Sequence, residues 1–244
     1  MINQEFSNEF DILYNNIMSN GAPGINEYEK SVFLTKAQYE IVKNYFNPKG
    51  NKYAEGLDDS PKRQIDLSMI IESSSIVLND VNSSKGGFDS RSTTIVFPES
   101  LDNIMIILDE YVQVLRTSKG GTSDVGLTVI PIGYDEYSRI MSKPYKRPLK
   151  NQAWRLLSLS TKSVEIIAGP NDRIKTYSIR YVRRPRPIIL SDLINASIEG
   201  NSSEQACELD PSLHQEILQR AVELAKAAYI GDVSTQLELG KRSE

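Results

Sequence analysis

Phe6, Phe10, Leu13 and Ile17 recur at steps of four, three and four, the spacing of a single helix face. The run Asn20-Gly21-Ala22-Pro23-Gly24 interrupts that pattern. A second helical pattern opens at Asn26, an N-cap residue followed three positions later by Glu29, as in a capping box. It predicts a helix from Glu27 to about Phe46, with Val32, Phe33, Ile41, Val42, Tyr45 and Phe46 on its apolar side. Asn47-Pro48-Lys49-Gly50 stops it, and the two helices form an αα-hairpin. Residues 47–64 read as a polar, turn-rich connection.

The middle of the chain has the composition of strands. Ser92 to Phe97 is rich in β-branched residues and is closed by Pro98. Ile104 to Leu115 is apolar and continued by Tyr111, Val112 and Val114, with helix as the competing reading. Gly126 to Ile132, Trp154 to Leu159, Val164 to Ala168 and Lys175 to Val182 complete the set. Gly169-Pro170-Asn171-Asp172 is a turn between the last two, which predicts a hairpin. Tyr134 to Met141 reads as a short helical insert. Ser84 to Gly87 and Ser118 to Gly121 repeat Ser-Lys-Gly-Gly, but neither has the spacing of a P-loop, so both read as hairpin tips.

At the end, Asp210 is an N-cap and Pro211 takes the first helical position. Leu213, Ile217, Ala221, Leu224 and Ala228 then step by four or three, and Gly231 caps the helix. The pattern predicts an α+β protein, with the N-terminal αα-hairpin and the C-terminal helix packed together beside a central antiparallel β-rich region. The helical part covers 1–64 and 191–244, and the β-rich part covers 65–190.

Composition narrows the chemistry. The chain has 244 residues, with 39% hydrophobic and 25% charged, ordinary values for a globular protein. It has one Cys, Cys207, and one His, His214, so it can form neither an internal disulfide nor a His/Cys zinc site. Any Ser-His-Asp or Cys-His catalysis would rest on His214, which lies in the first turn of a helix. Cys207 has no basic residue beside it in sequence to activate a thiolate. Asp58-Asp59 falls in a turn-rich loop, and Asp109 and Glu110, adjacent in a strand, point to opposite faces. No cofactor is expected. The best apolar run, Ile104 to Leu108, falls short of the about 20 residues a membrane span needs. The opening MINQEFSNEF has neither the basic nor the apolar region of a signal peptide.

Charge is unevenly distributed. Between Arg139 and Arg186 there are 13 Lys/Arg and 2 acids, or +11, which leaves 15 − 30 = −15 on the rest of a chain whose net charge is −4. Such a layout suits a face that meets phosphate or an acidic partner. It equally suits neutralisation within one fold or between identical subunits. Lys143, Tyr145, Lys146 and Arg147 alternate with prolines, while Arg180, Arg183, Arg184 and Arg186 crowd a strand end that Pro185 and Pro187 terminate. These eight residues are the candidate interface. Arg binds carboxylate as well as phosphate, so the sequence leaves open a nucleic-acid module using 139–186, a protein interface and a solvated edge.

The order of elements, Glu9 to Asn15, Ala22 to Ser31, Lys143 to Pro148 followed by Trp154-Arg155, Tyr181 to Pro185, and the Leu213 to Ile217 helix with Ala221, Ala225 and Ala228 resemble virion ring proteins of tailed bacteriophages. The likeness is strongest to the head-to-tail connector proteins of crAss-like short-tailed phages. The resemblance implies a non-enzymatic virion protein that forms a ring, dodecameric, docked under the portal and lining the DNA exit channel. Its partners would be further copies of itself, the portal, other neck or tail rings, and genomic DNA passing without sequence specificity, with no membrane. The long polar connections 47–64, 79–91 and 191–209 are then expected to order only against neighbouring subunits.

Overall fold

The computed structural model describes residues 1–17, 24–46, 61–79, 83–85, 92–98, 101, 103–118, 121–143, 150–156 and 163–230. Among them are the helices α1 (Asn3–Ile17), α2 (Glu27–Phe46), α3 (Pro61–Asp66), α4 (Tyr134–Met141) and α5 (His214–Ile230). The strands are β1 (Ile71–Val77), β2 (Ser83–Lys85), β3 (Ser92–Val96), β4 (Ile104–Ser118), β5 (Gly121–Ile132), β6 (Gln152–Leu156), β7 (Ser163–Ile167) and β8 (Asp172–Arg183). The fold is α+β. It comprises two compact units, Met1–Ile70 with Pro185–Glu244, and Ile71–Arg184.

In the first unit the N-terminal hairpin and the C-terminal helix pack together. α2 begins with the capping box its sequence predicts: the Glu29 amide donates to Asn26 Oδ1 at 2.8 Å, and the Asn26 amide to Glu29 Oε2 at 3.0 Å. α1 buries Asn3, Phe6, Phe10 and Tyr14. Tyr14 takes the place expected for Leu13, which is half-buried. Lys30, itself buried, joins the two helices by donating to Ser7 Oγ, Asp11 Oδ2 and Glu27 Oε1, so its three protons are all used. α5 holds α2 through Arg220 on Glu40 at 2.6 Å and α1 through Gln215 on Glu9 at 3.0 Å. Asp210 caps the entry to α5 by accepting from the Ser212 amide, with Pro211 at the first helical position.

α2 also buries Ser31, Thr35 and Gln38 beside Leu34, Ala37, Ile41 and Val42. The reason is its neighbour, the backbone at 185–190, which belongs to no named strand among the described residues. Thr35 Oγ1 accepts from the Ile188 amide at 3.1 Å, Ser31 Oγ accepts from the Leu190 amide at 3.1 Å, and Gln38 donates to the Arg186 carbonyl at 2.9 Å. Polar side chains at i, i+4 and i+7 thus serve this segment as a strand would. The following stretch corrects the expectation that 191–209 orders only against a neighbouring subunit. It is held within its own unit by the Ile189↔Gln205 and Ile198↔Asn201 bridges, by Leu193 donating to Ser202, and by Glu204 donating to Asp192. Asn195, Glu199 and Gly200 supply the left-handed turns.

The second unit is an eight-stranded sheet in the order β1-β8-β4-β5-β6-β7-β3-β2. All pairs are antiparallel except β5–β6, which is parallel. That pair is joined by a crossover carrying α4, whose Tyr137, Ile140 and Met141 pack on Ile132, Trp154, Leu156 and Ile167 from outside. Every strand but β2 gives side chains to one inner core, including Ile76, Ile95, Val112, Leu127, Ala153, Ile166, Tyr177 and Ile179. Contributions to one core from β1, at one end of the strand order, and from β3, next to the other end, mean that the sheet curls around it.

That curl overturns the predicted β7–β8 hairpin. The turn is present, with the Asp172 amide donating to the Gly169 carbonyl at 3.1 Å. Yet β7 pairs with β6 and β3, and β8 pairs with β4 and β1. The turn arches across the curled sheet, because Arg116 of β4 grips Asp172 through both carboxylate oxygens, at 2.7 and 2.8 Å, and seats β8 beside β4. β1 and β2 lie in stretches that hydrophobic patterning left without strands. Their serines carry no apolar alternation, and pairing with β8 and β3 forms them.

Candidate assembly interface

The basic segment runs through the α4–β6 crossover and on to the end of β8. Tyr145, Lys146 and Arg147 lie outside the described residues. Lys143 and Lys150, which flank them, are exposed. Arg180 is exposed on β8 between Ser73 of β1 and Asp109 of β4. Arg184 is exposed, and its amide donates to the Asn103 carbonyl at 2.8 Å.

Arg183 and Arg186 already hold acids. Arg183 Nε donates to Glu72 Oε1 at 2.9 Å, and Tyr181 donates to the other oxygen of the same carboxylate at 2.9 Å. Burial and that bond push the Tyr181 hydroxyl up to about 12. Arg186 pairs with Glu208 at 3.2 Å, and its amide donates to the same side chain. Other cations of the segment are likewise matched to acids outside it: Arg139 with Glu136, Arg155 with Glu110, and Lys175 with Asp124. Part of the charge asymmetry along the chain is therefore neutralised within the fold. Arg180, Arg183 and Arg184 belong to the β-rich unit, while Arg186 belongs to the other.

Inside the curled sheet, Glu110, weighed above only as a carboxylate beside Asp109, has partners that patterning did not bring together. Glu110 is buried and accepts from Arg155 Nε at 2.7 Å and from the Tyr177 hydroxyl. Burial, then the neighbouring carboxylate, raises the Tyr177 hydroxyl far above its ordinary range, so it stays protonated and donates. The available signal was a charge in an apolar strand, Glu110, and another beside Trp154, Arg155. As expected of adjacent strand residues, Asp109 points away and is exposed.

The two residues on which catalysis would rest have structural partners. His214 is buried; its Nε2 donates to the Leu209 carbonyl at 3.1 Å, and its Nδ1 accepts from the Met1 ammonium at 2.8 Å. Burial lowers its proton affinity. Burial pushes the Cys207 thiol up to about 11, and its sulfur lies 3.8 Å from Gln38 Oε1. Among the described residues no group of His, Cys, Asp and Glu could hold a metal ion.

Residues 1–236 match the phage tail ring protein 3/4 family. The chain belongs to that family. It is 53% identical over 246 residues to Ring protein 4/5 of Bacteroides phage crAss001, covering 98% of each chain. It is also 32% identical over 227 residues to Ring protein 3 of the same phage, covering 92% of this chain and 95% of that protein. The match runs through both units.

Proposed function

We propose that the chain is a non-enzymatic structural subunit of a crAss-like phage virion that closes with further copies into a ring. The observation that carries this reading is the family match along residues 1–236. The engaged nitrogens of His214 and the raised thiol of Cys207 support a role without catalysis. In the finer form of the proposal, twelve copies form a ring of the head-to-tail connector below the portal, which lines the DNA exit channel and is assembled in the host cytoplasm. A channel through which DNA slides must avoid tight phosphate binding, since each phosphate neutralised adds affinity. The pairing of Arg183 with Glu72 and of Arg186 with Glu208 suits that need. One phage carries two ring proteins similar to this chain, so a second ring of the same fold is a natural neighbour in the stack.

The test is sedimentation velocity of the full chain, alone and with portal protein, together with DNA titration at two salt concentrations. The proposal expects a closed oligomer, or one formed on the portal, and weak DNA binding. A monomer under all conditions with strong, salt-dependent DNA affinity would instead establish a nucleic-acid module using the exposed Lys143, Lys150, Arg173 and Arg180.

A further inference from the structure

Among the described residues β1 pairs with a strand on one side only. β1 pairs with β8 through seven consecutive residue pairs, Ile71↔Val182 to Val77↔Thr176, without a register shift. Its other side borders no strand among the described residues. The Leu78 amide donates to the Lys175 carbonyl at 2.8 Å, which fixes the phase of the ladder. Alternation then turns the N–H and C=O groups of Glu72, Ser74 and Ile76 toward β8, and those of Ser73 and Ser75 outward. Ser73 and Ser75 are exposed, and among the described residues nothing bonds to their outward backbone groups.

Natural sheets protect such edges with lysines, prolines, bulges or inward charges. β1, Ile-Glu-Ser-Ser-Ser-Ile-Val, has no lysine, proline or bulge, and its one charge, Glu72, is taken by Tyr181 and Arg183. The edge also lies at a seam. β1 and β2 are the two ends of the strand order, yet the Ser83 amide at the start of β2 donates to the Asn79 carbonyl just after β1, at 3.0 Å. The curled sheet thus returns on itself without a β1–β2 ladder to close it.

We propose that β1 is a lateral assembly edge, to which a strand from a second copy of this chain adds through the backbone groups of Ser73 and Ser75. The occupant follows from the family, whose members are ring proteins. A β1 edge meeting a different surface of the next copy is a heterologous contact, the kind that generates rings, whereas β1 on β1 would stop at a dimer. This inference rests on the ring reading above.

The experiment compares the full chain with its Ser73→Pro/Ser75→Pro variant by sedimentation velocity and thermal unfolding. Proline at outward positions removes no bond to β8, so the variant should fold, while its association weakens at least about tenfold for two lost donors. Amide exchange on the unmodified chain is the second measurement, in case the variant fails to fold. Ser73 and Ser75 should gain protection on assembly, while Ser74 and Ile76 are protected in monomer and ring alike. Rings that form normally from a folded variant, or amides at 73 and 75 that exchange freely in the ring, overturn the β1 edge and leave the ring reading standing. A wild-type chain that never self-associates, alone or on the portal, overturns both.

Discussion

Glu110 survives inside a β core because two donors are aimed at it, Arg155 and Tyr177. Removing a donor strands a buried charge, which costs far more than the pair contributes. Arg155→Met should therefore lower the unfolding free energy by about 3–5 kcal/mol and Tyr177→Phe by about 1.5–3 kcal/mol, both read from urea denaturation. Equal small effects from the two would mean that Glu110 is not held as the geometry requires. His214 gives a pH dependence. Its folded proton affinity is lowered by burial, so the folded state binds fewer protons than the unfolded chain. Stability is complete above a pH of about 6.5 and declines as pH falls below it. Thermal unfolding between pH 7.5 and 5 should show the decline, and His214→Gln should flatten it. At this scale the sequence showed that Glu110 was a charge in an apolar run, but its partners lie 45 and 67 positions away and meet it only when the sheet curls. The same applies to Ser31, Thr35 and Gln38, which read as an ordinary polar stripe until the 185–190 backbone is laid against them.

The elements that local chemistry determines were legible. The Asn26–Glu29 box places the start of α2, and Asp210-Pro211 the entry to α5, because capping groups and the backbone they satisfy lie within a turn of each other. α4 coincides with its predicted span. Elements that depend on partners were not legible: β1 and β2 are made by pairing, and the Gly169–Asp172 turn could not reveal that it joins strands far apart in the sheet. The α2 seam provides a direct check on this scale. Thr35→Val keeps the side-chain volume but leaves the buried Ile188 amide without its acceptor, a loss of about 1–3 kcal/mol. Amide exchange at Ile188 and Leu190 should accelerate while that of mid-α2 residues stays slow; unchanged rates would show that the segment is held by packing alone.

For the whole molecule, the +11 segment gave the most informative sequence signal, and the fold neutralises part of it. Arg139, Arg155, Lys175, Arg183 and Arg186 are matched to acids, and Arg184 is a further exposed cation of the segment. Charge reversal should distinguish Arg183 from Arg184. Arg183→Glu faces Glu72 and disturbs the β1–β8 margin. Arg184→Glu is an exposed change that should leave unfolding within about 1 kcal/mol of the parent and, on the interface proposal, weaken assembly. The chain belongs to a family of phage ring proteins and is expected to act as a ring subunit. Electron microscopy of assembled full-length protein, or of the virion tail containing it, tests that most directly. Closed rings with rotational symmetry are expected, one copy of the chain per repeat and both of its units in every copy; open filaments, isolated dimers or dispersed monomers on a tail that lacks such a ring would contradict a ring subunit.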